Sequence, residues 1–231
     1  NPNGLPKTWH FENFMIAFEK GKFAVGLTNS LILAFASMIL IILVCSAVSY
    51  PISRSANKFN RLMYNFLTVG LMVPAGLTMI PTYKLLQSIN LINTPFALVG
   101  IYIAINTPFT IIAYTGFLKT IPKELDESAQ IDGCSSYYTY WKIIFPLLKP
   151  ITTTIIILVG TQIFNEFINN LLFASKVKTV ALCLFNFKSQ YYIEWNMLFA
   201  GVTISMLPPL IVFLMFQKYF ERGLTSGAVK G

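Results

Sequence analysis

Long apolar runs separated by short polar segments set the pattern of this chain. Five runs read as helices: roughly Leu27–Tyr50, Leu62–Pro81, Pro95–Leu118, Ile151–Phe173 and Met197–Phe216. Each approaches or exceeds the ~20 residues that cross a hydrocarbon core of ~30 Å. Lipid offers the backbone no hydrogen bonds, so such runs predict helices and not open strands. The expected fold is all-α, a polytopic transmembrane helical bundle with about five spans. Pro74 and Gly76 interrupt the second run, Pro108 lies in the third, and Pro208 and Pro209 break the fifth. Each proline reads either as a hinge or as a static kink relieved by neighbouring helices.

Composition supports the membrane class. The 231 residues are 55% hydrophobic and 11% charged, where soluble domains carry about a quarter charged residues. The net charge is +8, but Lys and Arg are dispersed between apolar runs without a basic stripe, so nucleic acid is not the expected partner. Their distribution orients the chain instead. The loops after the first and third runs, with the tail, hold ten of them; the opposite side holds seven. The bias places the segment after the third run in the cytoplasm.

That segment, 119–150, is the polar centre of the chain and reads as a helix–turn–helix. Pro122 suits a first turn, and Glu124, Asp126 and Glu127 favour the positive end of the helix dipole. Leu125 and Ala129, four apart, share a face. Gly133 can stop the helix in a left-handed conformation. Ser135 can cap a second helix, which Pro146 limits. The second helix carries Tyr137, Tyr138, Tyr140, Trp141, Ile143 and Ile144.

The spacing is that of a known motif: EAA, three residues, G, nine residues, I, one residue, L, P. Here it reads Glu127-Ser128-Ala129, Gly133, Ile143, Phe145-Pro146, with Ser128 and Phe145 departing from the usual Ala and Leu. The chain resembles the membrane subunits of bacterial ABC importers, in the carbohydrate-uptake, MalG-like branch. The surrounding IPKELDESAQIDG and PLLKP carry the same likeness, which extends to the terminal GLTSGAVKG. It implies a type I importer permease in the bacterial cell membrane, translocating a sugar or oligosaccharide. It implies ATPase-coupling residues Glu124, Glu127, Ser128, Ala129, Asp132, Gly133, Tyr137, Trp141, Ile143 and Pro146, with Glu127 pairing to a basic residue of the ATPase. Tyr137, Tyr140, Trp141 and Ile144 would supply buried contact area there. The implied partners are a second homologous permease, a cytoplasmic ATPase dimer, an extracytoplasmic solute-binding protein and membrane lipid. ATP would sit on the partner subunits, with no cofactor on this chain. The outer loop 174–195 matches in position a loop directed at the binding protein, and the cytoplasmic tail 220–231 one that reaches the ATPases. Relatives usually carry a further span ahead of this point, so a preceding helix is expected.

The transport path is less marked. Glu166 is the only acidic residue in a predicted span, within the polar set Gln162, Asn165, Glu166, Asn169 and Asn170. Their three- and four-residue offsets put several on one face, lining a path, packing on a partner or making a structural hydrogen bond. The family's usual proline after this run is absent. Asn106 reads in the same way. The N-terminal segment 1–26 has Trp9, Phe11, Phe14 and Phe18 and reads as an outer-face stretch, at the membrane interface or folded on the protein.

Other chemistries lack their residues. No GxxxxGK[ST], HExxH or GxSxG occurs, and His10 is the sole histidine. Cys45, Cys134 and Cys183 have no metal or disulfide spacing. The alternatives left open are an importer for glycerol phosphate or another polyol, a membrane enzyme using Glu166, and a scaffold that binds a cytosolic protein.

Overall fold

The computed structural model describes residues 10–55, 57–188 and 193–228, without the side chains of 75 and 218–228. Among these residues, eleven helical elements follow one another: α1 (Glu12–Lys20), α2 (Phe23–Arg54), α3 (Lys58–Gly70), α4 (Ala75–Ser88), α5 (Pro95–Leu118), α6 (Glu124–Ile131), α7 (Ser136–Leu147), α8 (Lys149–Phe164), α9 (Ile168–Phe173), α10 (Val180–Phe185) and α11 (Trp195–Ala228). Among the described residues, extended pairing is confined to one bridge, Lys188 to Ile193.

Among the described residues, three helices are long and apolar enough to cross a membrane: Phe23–Arg54, Pro95–Leu118 and Trp195–Gln217. A fourth crossing is available if α7 and α8, bent by 69°, form one broken span. Two expected spans are therefore not single helices. The run 62–81 is divided between α3, 13 residues, and α4, 14 residues. At 1.5 Å per residue each is about 20 Å long, short of a ~30 Å core. The break falls where Pro74 disfavours helical geometry at Val73 and lacks an N–H of its own. The run 151–173 is divided at 165–167, between α8 and α9.

The other prolines behave differently. α5 continues through Pro108, and α11 continues through Pro208 and Pro209, so the expected break in the fifth span does not occur. The helical backbone of α11 runs to Ala228, so most of the tail 220–231 extends that helix. Pro122 stands ahead of α6 and not in its first turn. Pro146 does not end α7. The helix absorbs it through a π stretch at Thr139–Ile144, where the Phe145 N–H donates to Tyr140 O, five residues back. The stop comes at Leu148, just before Pro150.

The core is built on α2 against α5. Buried Ser37, Cys45, Ser46 and Ser49 form a small-residue face on α2 that lets the backbones approach. Ser49 Oγ lies 3.1 Å from Ile111 O on α5. Ile41, Leu98, Tyr114, Leu118, Ile144 and Leu148 fill the space between α2, α5, α7 and α8. A second cluster joins α1, α2, α10 and α11 through Ala17, Phe23, Val180, Cys183 and Ala200. There α10 passes so close to α2 that a Cβ on Gly26 would stand 2.7 Å from Cys183 Sγ.

The N-terminal segment forms α1 beside α2 and α11. Ala17 is buried on the protein, while Phe11, Phe14 and Phe18 are exposed. Trp9 lies outside the described residues. Cys45, Cys134 and Cys183 are free thiols.

Candidate coupling site and translocation face

The segment after α5 folds as two short helices around Gly133. α6 ends with Gly133 at φ 78°, in the left-handed region. The Cys134 N–H reaches Ala129 O at 2.9 Å and the Gly133 N–H reaches Gln130 O at 3.0 Å. These two bonds satisfy carbonyls that a helix end leaves open. Ser135 starts α7, its Oγ accepting from the Tyr138 N–H at 3.3 Å.

One face of this unit is fastened to α2. Asp126 and Ala129 are the buried residues of α6. Arg54 Nη2, at the end of α2, pairs with Asp126 Oδ2 at 2.9 Å. The Tyr50 hydroxyl donates to Asp126 Oδ1. Arg54 Nη1 donates to Leu118 O at 3.1 Å and Ile121 O at 3.0 Å, closing the C-terminal end of α5 with a cation. On α7 the buried Tyr140 hydroxyl donates to Ser46 Oγ at 2.7 Å, and its ring lies 5.2 Å from that of Tyr50.

The opposite face is exposed. Glu124, Glu127, Ser128, Asp132, Gly133, Tyr137 and Pro146 are exposed, and Trp141 and Ile143 are half-buried. Trp141 sits in a ring cluster, 4.8 Å from Tyr140 and 5.1 Å from Phe145. The structure therefore divides the aromatic set. Tyr140 and Ile144 point into the core and are not available for contact with another subunit; Tyr137 and part of Trp141 are. Leu125 and Ala129 lie four apart on α6 as expected, with Ala129 buried and Leu125 exposed. The residues missed in the sequence are Asp126, Arg54, Tyr50 and Ser46. A carboxylate one turn before a buried alanine was the available signal, but it read equally well as a helix-dipole charge.

The polar set of the expected path is dispersed. Asn106 is buried, and its Nδ2 donates to Tyr102 O at 2.8 Å on its own helix. Gln162 is exposed. Asn165 is exposed and donates to Thr161 O at 3.0 Å. Glu166 is half-buried in the break between α8 and α9, where Oε1 accepts the Asn169 N–H at 3.0 Å. The shared helical face does not form, because the helix is interrupted within it. The buried centre is instead Asn170. It accepts from the Tyr102 hydroxyl of α5, and its Nδ2 donates to Glu166 O at 2.5 Å and Thr179 Oγ1 at 3.0 Å. Alongside, Ser30 Oγ on α2 accepts the Val180 N–H at 3.0 Å. This network ties α9 and the break before it to the segment that follows and to α2.

The profile described as "Binding-protein-dependent transport system inner membrane component" matches residues 47–226. The chain belongs to this family. It is a transport component of the inner membrane. A probable ABC transporter permease, YurM of Bacillus subtilis, is 35% identical over 229 residues, covering 98% of this chain and 76% of the relative. The melibiose/raffinose/stachyose import permease MelC of Bacillus subtilis is 34% identical, over 98% of this chain and 83% of its own. The probable starch degradation products permease AmyC of Thermoanaerobacterium thermosulfurigenes is 34% identical, over 100% and 84%. The fold matches a chain of a bacterial ABC transporter that imports the acidic polysaccharide alginate, with TM-score 0.80, 20% identity, and coverage of 94% and 81%.

Proposed function

We propose that this chain is the membrane-spanning permease of an ATP-driven importer for a sugar or oligosaccharide. A solute-binding protein delivers the solute, and a second, homologous permease completes the path. ATP is bound and hydrolysed by a separate cytoplasmic ATPase dimer, so the chain is not itself an enzyme and holds no cofactor. The sugar class rests on the names of relatives such as MelC and AmyC.

The observation that carries the mechanism is the two-faced coupling unit. Its outer face offers Glu124, Glu127, Ser128, Asp132 and Tyr137 to a partner. Its inner face is bonded to α2 through Asp126 and Tyr140, and its chain continues into α5 and α8. Closure of an ATPase dimer under the outer face would move the unit as a body, and α2, α5 and α8 with it. The spans would then alternate between outward-open and inward-open arrangements. Part of the outer segment 174–195 and the end of the tail lie outside the described residues; their contacts with the binding protein and the ATPases belong to the same proposal.

The test is purification of the tagged chain from its own membranes in mild detergent, with mass spectrometry of what co-elutes. A P-loop ATPase, a second permease and a sugar-binding protein are the expected companions. A chain that elutes alone after crosslinking, or that turns over a substrate without ATP, contradicts the reading.

A further inference from the structure

At one end of the bundle, beside the coupling unit, a cavity of about 410 Å³ opens between the C-terminal end of α2, the start of α3 and the C-terminal end of α5. Four cationic side chains from these elements and the adjoining loop line it: Arg54, Arg61, Lys119 and Lys123. Among the described residues lining it, none is acidic. Asp126, the nearby carboxylate, is already paired with Arg54. Arg61, Lys119 and Lys123 have no carboxylate partner among the described residues, and all three are exposed. Lys119 is held 5.5 Å above the Tyr64 ring, which fixes its ammonium at the rim.

The framework is rigid. Buried Asn60 donates to Pro51 O at 2.8 Å and Ser55 O at 3.2 Å, locking the start of α3 to the end of α2. Like charges gathered on such a framework repel unless an anion joins them. The position decides which anion. Both α2 and α5 are spanning helices, and the cavity lies at their ends, where headgroups meet water. Next to Arg61 on α3, Phe59, Leu62 and Phe66 are exposed at three- and four-residue offsets, an apolar stripe for acyl chains.

We propose that this cavity binds the phosphodiester headgroup of an anionic glycerophospholipid, with Arg61, Lys119 and Lys123 as its ligands. The bound lipid would bridge α3 to α5 at the base of the coupling unit. Its placement on the inner leaflet rests on the orientation given above; the binding itself does not.

The test uses the full chain with its companions, purified in mild detergent and analysed for retained lipid. The wild type is expected to hold phosphatidylglycerol or cardiolipin at least about tenfold enriched over zwitterionic lipid. Arg61→Gln with Lys119→Gln is expected to cut that retention about fivefold or more, with the helical circular dichroism spectrum unchanged. Lys84→Gln with Lys176→Gln, exposed cations on the other side of the bundle, is expected to leave it intact. Equal retention in all three overturns the proposal. So does stabilisation of delipidated protein by millimolar inorganic phosphate as strong as that by phosphatidylglycerol nanodiscs, which would make the ligand a soluble anion. Loss of the ATPase with lipid unchanged in the Arg61/Lys119 variant would make the basic cavity a protein contact and overturn it too.

Discussion

Arg54 Nη2 and Asp126 Oδ2 stand 2.9 Å apart across 72 residues of chain, and both side chains are almost fully buried. The contact is an ion pair outside aligned hydrogen-bond geometry, with Tyr50 and two backbone carbonyls completing the shell. Removing one charge leaves the other buried and unpaired, which costs on the order of 3 kcal/mol. Asp126→Ala is expected to lower the melting temperature of the purified protein. Arg54→Met with Asp126→Leu is expected to recover part of the loss, and a thermal-melt double-mutant cycle checks the coupling. Additive losses would show that the pair does not hold α6 to α2.

Glu127 is exposed on α6 and Gly133 adopts φ 78°. Glu127→Lys inverts the outer face without touching the core. Membrane content is expected to stay at the wild-type level while solute uptake falls at least about tenfold, the size of effect that loss of one charged contact can produce. Gly133→Pro forbids the positive φ and is expected to abolish uptake as well. Normal uptake in both variants would refute coupling through this unit.

Tyr137 and Tyr140 separate docking from anchoring, although they are three residues apart. Tyr137→Ala should leave the melting temperature unchanged and weaken ATPase co-purification. Tyr140→Phe removes the 2.7 Å bond to Ser46 and should cost about 1 kcal/mol of stability with docking retained. Thermal melts and pull-downs on the same two proteins read both effects, and an exchange of the two phenotypes would reverse the assignment of faces.

Glu166 acts on the Asn169 N–H through one oxygen, which Gln can supply. Glu166→Gln is expected to keep uptake within about threefold of wild type, because a replaced cap acceptor changes stability by less than about 1 kcal/mol. Asn170→Ala leaves Tyr102, Thr179 and a carbonyl without partners and is expected to cost about 2 kcal/mol or more. Uptake lost in Glu166→Gln at wild-type stability would assign the charge itself to transport.

The pattern of apolar runs was enough to read the helical membrane class, and the spacing of Glu127, Gly133 and Ile143 enough to read the family. What escaped is long-range or depends on context. Pro74 and Pro108 look alike in sequence. One opens a gap between helices while the other sits inside a helix packed on α2, because neighbouring elements decide whether freed backbone groups can be tolerated. Asp126 resembled its neighbours Glu124 and Glu127 until Arg54 was placed beside it. Tyr140 and Tyr137 share a residue type and nearly a turn, and only the packing of α7 on α2 distinguishes anchor from exposed contact. The polar face around Glu166 presumed an unbroken helix, and the break at Asn165 dispersed it.

If the exposed face of α6 engages an ATPase, a thiol on that face lies within crosslinking reach of it. A single reactive thiol is placed at Ser128, exposed on that face, with the native cysteines replaced, and crosslinked in membranes active in uptake, with and without ATP. A crosslink to a P-loop ATPase whose yield changes with nucleotide is expected. Uptake-competent membranes that give no ATPase crosslink from Ser128 in either state would contradict it.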